Sequence, residues 1–191
     1  MKNLAFFILV VFSLVSCASE KKEEKAPNIL FISIDDLRAE LGVYGNPIIQ
    51  TPNLDELAAT GVAFSNHFVH VPTCGASRSS LLTGLRPRTR VDLQNNAIAV
   101  ATKDKPEGAV PESFVHHLKR NGYYTVGIGK ISHSADGLVY GYTDEPSDIR
   151  ELPYSWDERP YDAGKWGTGW NAFFGYADGE NRQSKKRQVK P

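Results

Sequence analysis

Apolar residues fall into two kinds of stretch along this chain: unbroken runs and faces spaced for a helix. Asn28-Ile-Leu-Phe-Ile-Ser-Ile34 is β-branched and apolar without clean alternation, the pattern of a strand buried on both faces of a parallel sheet. It stops abruptly at Asp35-Asp36. Val62 to Val71 predicts a second extended segment, which delivers the chain to Cys74. Tyr123 to Ile128 predicts a third, running directly into Gly129-Lys-Ile-Ser-His133. Helices are predicted between them. Thr51-Pro-Asn-Leu-Asp-Glu-Leu-Ala-Ala-Thr-Gly61 offers a cap, a proline at the first helical position, an apolar face of Leu54, Leu57 and Ala58, and a glycine stop. A helix starts near Cys74 and stops at Gly84, and Pro111 to Gly122 carries Phe114, Val115 and Leu118 on its core face. The expected fold class is therefore α/β, with a mainly parallel sheet flanked by helices.

Outside these elements the pattern weakens. Leu85 to Gly108 reads as a loop-rich connection with few apolar anchors. His67 and His70 read as core or packing histidines, because nothing spaces them as a metal pair, and the adjacent His116 and His117 read as solvated. Asp136 to Gly179 mixes Gly, Pro, Tyr, Trp and Asp without periodicity, and reads as a long loop region able to wall a substrate cleft. Trp156, Trp166 and Trp170 read as packing anchors, with sugar platforms as the alternative. Ser184 to Pro191 reads as a frayed basic tail.

Charge removes several partners. With 22 basic and 22 acidic residues in 191, the chain has no large field to draw it to nucleic acid or to an anionic membrane. Its only membrane contact is predicted at the N-terminus. Lys2 and the apolar run Leu4 to Val15 form a leader of 12 apolar-run positions, too short for a span of about 20. Leu14-Val-Ser-Cys17 resembles the bacterial lipobox, in which the cysteine is lipidated. A secretory peptide cut near Ala18 shares the same hydrophobic core and is the alternative. Residues 1–17 are thus read as a lipoprotein-type signal peptide and 18–26 as a solvated linker, placing the protein in the bacterial periplasm or at the cell surface, anchored through Cys17.

Chemistry concentrates at the ends of the extended segments. Open α/β sheets bind ligands at the carboxyl ends of their strands, where this chain puts Asp35 with Asp36, Cys74 with Arg78, and Lys130 with His133. Consecutive strand side chains point to opposite faces, so both aspartates can reach one site only if the strand breaks there. Cys74 and Arg78 share a helix face, and a thiol beside a cation at a helix N-terminus suits nucleophilic chemistry or anion binding. From spacing alone, a buried free cysteine on a capped helix fits equally.

The order of these clusters resembles the sulfatase family, within the alkaline-phosphatase-like α/β superfamily. The family signature, a Cys or Ser, any residue, Pro or Ala, any residue, Arg, and then Leu-Thr-Gly, is met by Cys74-Gly-Ala-Ser-Arg78 and Leu82-Thr-Gly84. Pro27 to Arg38, Gly42-Val-Tyr-Gly45 and Thr51-Pro-Asn-Leu-Asp55 are also family-like. Gly129-Lys130 with His133, then Pro153-Tyr-Ser-Trp156, looks most like the iduronate-2-sulfatase branch. The resemblance runs from about Ala26 to Trp156, within a partial catalytic domain taken as 27–191.

It implies a sulfuric ester hydrolase acting on sulfated polysaccharide or oligosaccharide, in the manner of glycosaminoglycan degradation. Cys74 would be converted to formylglycine by a separate maturation enzyme. Asp35, Asp36 and the modified residue 74 would ligate a calcium ion, Arg78 would stabilise the hydrated aldehyde, Lys130 would bind sulfate, and His133 would act on or hold the second hydroxyl. A related phosphatase or phosphonate hydrolase would share this metal logic. The family draws further metal and sulfate ligands from later sequence, so the resemblance also implies the N-terminal part of a longer sulfatase, or a truncated reading frame.

Overall fold

The computed structural model describes residues 26–134, 136–139 and 147–160. The chain divides into two compact units, Met1–Ile32 and Ser33–Pro191. The described part of the first, residues 26–32, has no regular secondary structure, with Leu30 85% exposed. Everything below concerns the second.

Four α-helices order the described residues: α1 (Pro52–Thr60), α2 (Cys74–Thr83), α3 (Ala97–Thr102) and α4 (Phe114–Arg120). The punctuation in the sequence explains three of them. Pro52 opens α1 at a position whose N–H would have no helical partner. Gly84 closes α2 in the left-handed region at φ 68 and returns its N–H to the Ser80 carbonyl. Ser113 caps α4 by accepting from the His116 N–H. Thr51 precedes α1 as expected, but its hydroxyl faces a neighbouring turn: it accepts from Gly42 N–H at 2.9 Å and donates to Asp55 at 3.1 Å.

α3 corrects the expectation of a loop-rich connection with few apolar anchors over 85–108. Ala97, Ile98 and Ala99 are buried, and six residues with no charged side chain suffice because α2 packs on them. Short helices gain most of their stability from such packing. The contact at the start of α2 is especially close. Asn95 accepts the Gly75 N–H at 3.0 Å, supplying the remote cap that Thr73 does not, and a Cβ on Gly75 would fall 2.0 Å from the Asn95 carbonyl oxygen. Gly75→Ala should therefore destabilise the chain by about 1–3 kcal/mol through overpacking, read as a lower midpoint in urea; an unchanged midpoint would show that the 95–96 turn moves freely.

The core comprises Leu82 from α2, Ile98 from α3, Val115 from α4, and Leu152 and Trp156 from an irregular segment, with Phe114 and Ile131 packed against it. Trp156 is a packing anchor, as expected; Trp166 and Trp170 lie outside the described residues. Segment 147–160 is thus loop in path but core in content, and polar ties fix it. Lys119 binds the Trp156 carbonyl and Asp157, each at 3.0 Å, while Thr125 receives the Asp157 N–H and donates its own N–H to the Asp157 carboxylate.

The predicted parallel sheet does not form among the described residues. Asn28 to Ile34 carries no ladder, Val62 to Val71 is irregular and exposed up to His70, and Tyr123 to Ile128 contributes one parallel bridge, Val126 with Glu158. An apolar run announces a surface that favours cover; it does not specify the chain that covers it, and ladder bonds are wholly non-local. Two histidine expectations also change. His67 and His70 are exposed rather than packed, and His116 is buried, its Nε2 2.7 Å from Glu107 Oε1, while His117 stays exposed. Glu107 and Tyr154 lie against the His116 ring and cover it. The signal peptide, the linker up to residue 25, Cys17 and the basic tail lie outside the described residues. No helix among the described residues is long and apolar enough to cross a membrane.

Candidate active site

Three separated stretches meet at Asp35. Its Oδ1 accepts from Arg78 Nη2 at 2.9 Å and its Oδ2 from Lys130 Nζ at 2.5 Å. The chain does turn here, as two converging aspartates require: Asp36 is left-handed at φ 53, a conformation aspartate tolerates better than most residues. That reversal brings Asp36 Oδ1 to 3.9 Å from Cys74 Sγ. Cys74 occupies the first turn of α2, and the next turn carries Arg78 inward until its side chain is 8% exposed.

Arg78 holds more than a carboxylate. Its Nη1 donates to the Lys130 and Ile131 carbonyls, both at 2.9 Å, and to Ser33 Oγ at 3.3 Å. The two hydrogens of Nη1 serve the two carbonyls, the longer Ser33 contact shares one of them, and Nη2 serves Asp35, a planar fork that an ammonium could not reproduce. It therefore ties α2 to the segment bearing Lys130. Ser33 and Asn95 were not singled out from sequence. The lone hydroxyl inside the run Ile32-Ser-Ile34 was a signal for Ser33, since a polar residue there needs a partner; Asn95 gave none.

The charges decide the protonation states. Burial opposes ionisation of Asp35, but the hydrogen bonds and fields of Lys130 and Arg78 outweigh it and hold the carboxyl below its ordinary value. His133 is buried, and burial first, then the positive fields of Lys130 and Arg78, push it down to about 4, with Asp35 opposing. At neutral pH its imidazole is uncharged, so it can accept a proton.

Both shifts lead to acid lability. Between 6.5 and about 4 the unfolded chain protonates at position 133 and the folded chain does not, so stability falls as pH falls, by at most about 3 kcal/mol. Asp35 adds the same sense lower down, as its depressed pKa is approached, whereas Glu151, raised by burial, works the opposite way. His133→Asn should therefore flatten the loss of melting temperature between pH 6.5 and 4 relative to wild type. Parallel profiles would assign the lability elsewhere.

The donor atoms of Asp35, Asp36 and Cys74 lie within 4.8 Å of one another. Two ligands at about 2.4 Å from one calcium ion can stand no farther apart than this, so the spacing fits. Donor chemistry fits for the carboxylates and not for a thiol, which is too soft for calcium; an oxygen at position 74 would complete the set. Six or more oxygens are usual around calcium, so this group supplies part of a shell.

A family model described as Sulfatase matches residues 27–191. The chain belongs to the sulfatase family. It is 33% identical over 190 residues to a sulfatase of Formosa agariphila, covering 88% of this chain and 37% of that one. It is 37% identical over 164 residues to iduronate 2-sulfatase of Mus musculus, covering 84% and 27%. To N-acetylgalactosamine-6-sulfatase of Homo sapiens it is 40% identical over 110 residues, covering 54% and 21%. The sulfatase-family chain thus spans well under half the length of these curated relatives. No solved structure matches it. The family implies an alkaline-phosphatase-like fold.

Proposed function

We propose that this chain forms the nucleophile half of a sulfuric ester hydrolase acting on sulfated sugars in the manner of an iduronate 2-sulfatase, with formylglycine derived from Cys74 and a calcium ion at Asp35 and Asp36. The observation that supports this best is the convergence of a thiol, two carboxylates, a buried arginine and a lysine from stretches that are far apart in sequence. Maturation enzyme, lipid anchor at Cys17 and export belong to the same proposal, resting on the sequence motifs alone.

When present, the aldehyde hydrate at 74 and the calcium beside it would supply an activated oxygen nucleophile and Lewis acidity toward the sulfate oxygens. The chain's own residues account for the rest. Arg78, fixed by its carbonyl acceptors, places positive charge one helical turn from position 74, where negative charge develops during transfer. Lys130, its side chain 17% exposed and its ammonium held by Asp35, presents a compact positive charge for an incoming sulfate. Asp35 sets the spacing of the two cations. His133, neutral at the working pH because of burial and those same cations, can take the proton from a hydroxyl at residue 74.

The decisive measurement is mass spectrometry of the Cys74 peptide after expression with a formylglycine-generating enzyme. Conversion exchanges a sulfur and two hydrogens for one oxygen. A thiol that persists in such a host rejects the nucleophile assignment. Hydrolysis of a phosphate ester well above the sulfate ester would favour the phosphatase alternative.

A further inference from the structure

We infer that Glu151 is a positioning residue for His133: it grips the residues on both sides of that histidine and so fixes where the imidazole points. Glu151 is 3% exposed. Its Oε2 accepts the Ser134 N–H at 3.2 Å and its Oε1 the Ser134 hydroxyl at 3.2 Å, while the Ser132 side chain bonds the same carboxylate. Ser132 and Ser134 are themselves 2% and 1% exposed. A carboxylate this deep is costly unless its lone pairs are used, and here they are used on the two neighbours of one residue.

The backbone carries the same clasp further. Glu151 N–H donates to the Gly137 carbonyl at 2.8 Å, Val139 N–H to Ile149 at 2.7 Å, and Leu138 and Arg150 form an antiparallel bridge. On the other flank Arg78 binds the carbonyls of Lys130 and Ile131. The turn is therefore held at 130 and 131 by a buried guanidinium and at 132 and 134 by a buried carboxyl group, with His133 between them. Glu151 carries no motif of its own, because its contacts are to small serines.

The catalytic part of the inference rests on the proposed function, but the test begins without substrate. Histidine ring signals of the 191-residue chain are recorded by heteronuclear NMR at one neutral pH, with His133 assigned through His133→Asn and His116 as an internal reference held by Glu107. Glu151→Gln keeps the size of the side chain and turns one acceptor into a donor facing donors. The His133 signal should shift and broaden while His116 stays in place. Ser134→Ala, a gentler change, should move the same signal less. An unmoved His133 signal in Ser134→Ala and Glu151→Gln overturns the inference, as does a common shift of all histidines, which would mark Glu151 as a fold residue only.

With a sulfate ester, Glu151→Gln should lower kcat by about 10- to 100-fold, the scale of a small misplacement of a catalytic group, with KM little changed. A raised KM at unchanged kcat also overturns it. Absence of turnover in the unsubstituted chain counts against the hydrolase proposal alone, since the His133 signal is read without it.

Discussion

Replacing Arg78 with methionine is expected to lower the melting temperature by on the order of 10 °C, because each buried acceptor left without its donor costs about 1–3 kcal/mol and two carbonyls lose theirs at once. The figure applies here because the guanidinium is largely buried while Asp35, two carbonyls and a serine hydroxyl converge on it. Methionine matches its length and serves none of those acceptors. Arg78→Lys should recover little, since an ammonium restores the charge but not the planar fork. Calorimetric melting of the three proteins checks this, and a lysine variant as stable as wild type would show that charge alone matters at this position. Any turnover should vanish in both variants, through loss of the cation and release of the segment carrying Lys130.

Asp35→Asn is expected to have the second-largest effect, on ion binding more than on folding. Asp35 is the shared counter-ion of two cations that are 8% and 17% exposed, yet is itself 37% exposed. Solvent can replace part of what it supplies, so the stability cost should be about 1–3 kcal/mol, below that of Arg78. Calcium affinity should fall by more than about tenfold, since the site loses one of its charged ligands. Isothermal titration with calcium alone measures it. Equal affinities in wild type and variant would remove Asp35 from the proposed ligand set.

The legible parts of this protein were those written locally. Pro52, Ser113 and Gly84 mark helix boundaries because each acts on backbone groups within a turn of itself. The meeting of Asp35, Cys74, Arg78 and Lys130 was legible for another reason: each stands where an extended or helical segment begins or ends, and such ends gather in α/β proteins. What stayed hidden depends on partners far along the chain. α3 has no cap and no amphipathic signature, and exists because α2 covers it. The burial of His116 follows from Glu107 and Tyr154 lying against it, and Glu151 gains its importance from two serines. The expected sheet shows the same limit from the opposite side, since an apolar run states a need without naming what meets it.

The left-handed backbone of Asp36 separates two demands that one position usually merges. Shape there admits Asp, Asn and Gly with little strain, whereas charge admits only Asp and Glu. In a library randomised at residue 36 and sorted first for folding and then for calcium uptake, the two sorts should enrich different sets, with Asp alone common to both. Asn and Gly variants would then report what the carboxylate does with the chain path unaltered, a control that no substitution at Arg78 can offer.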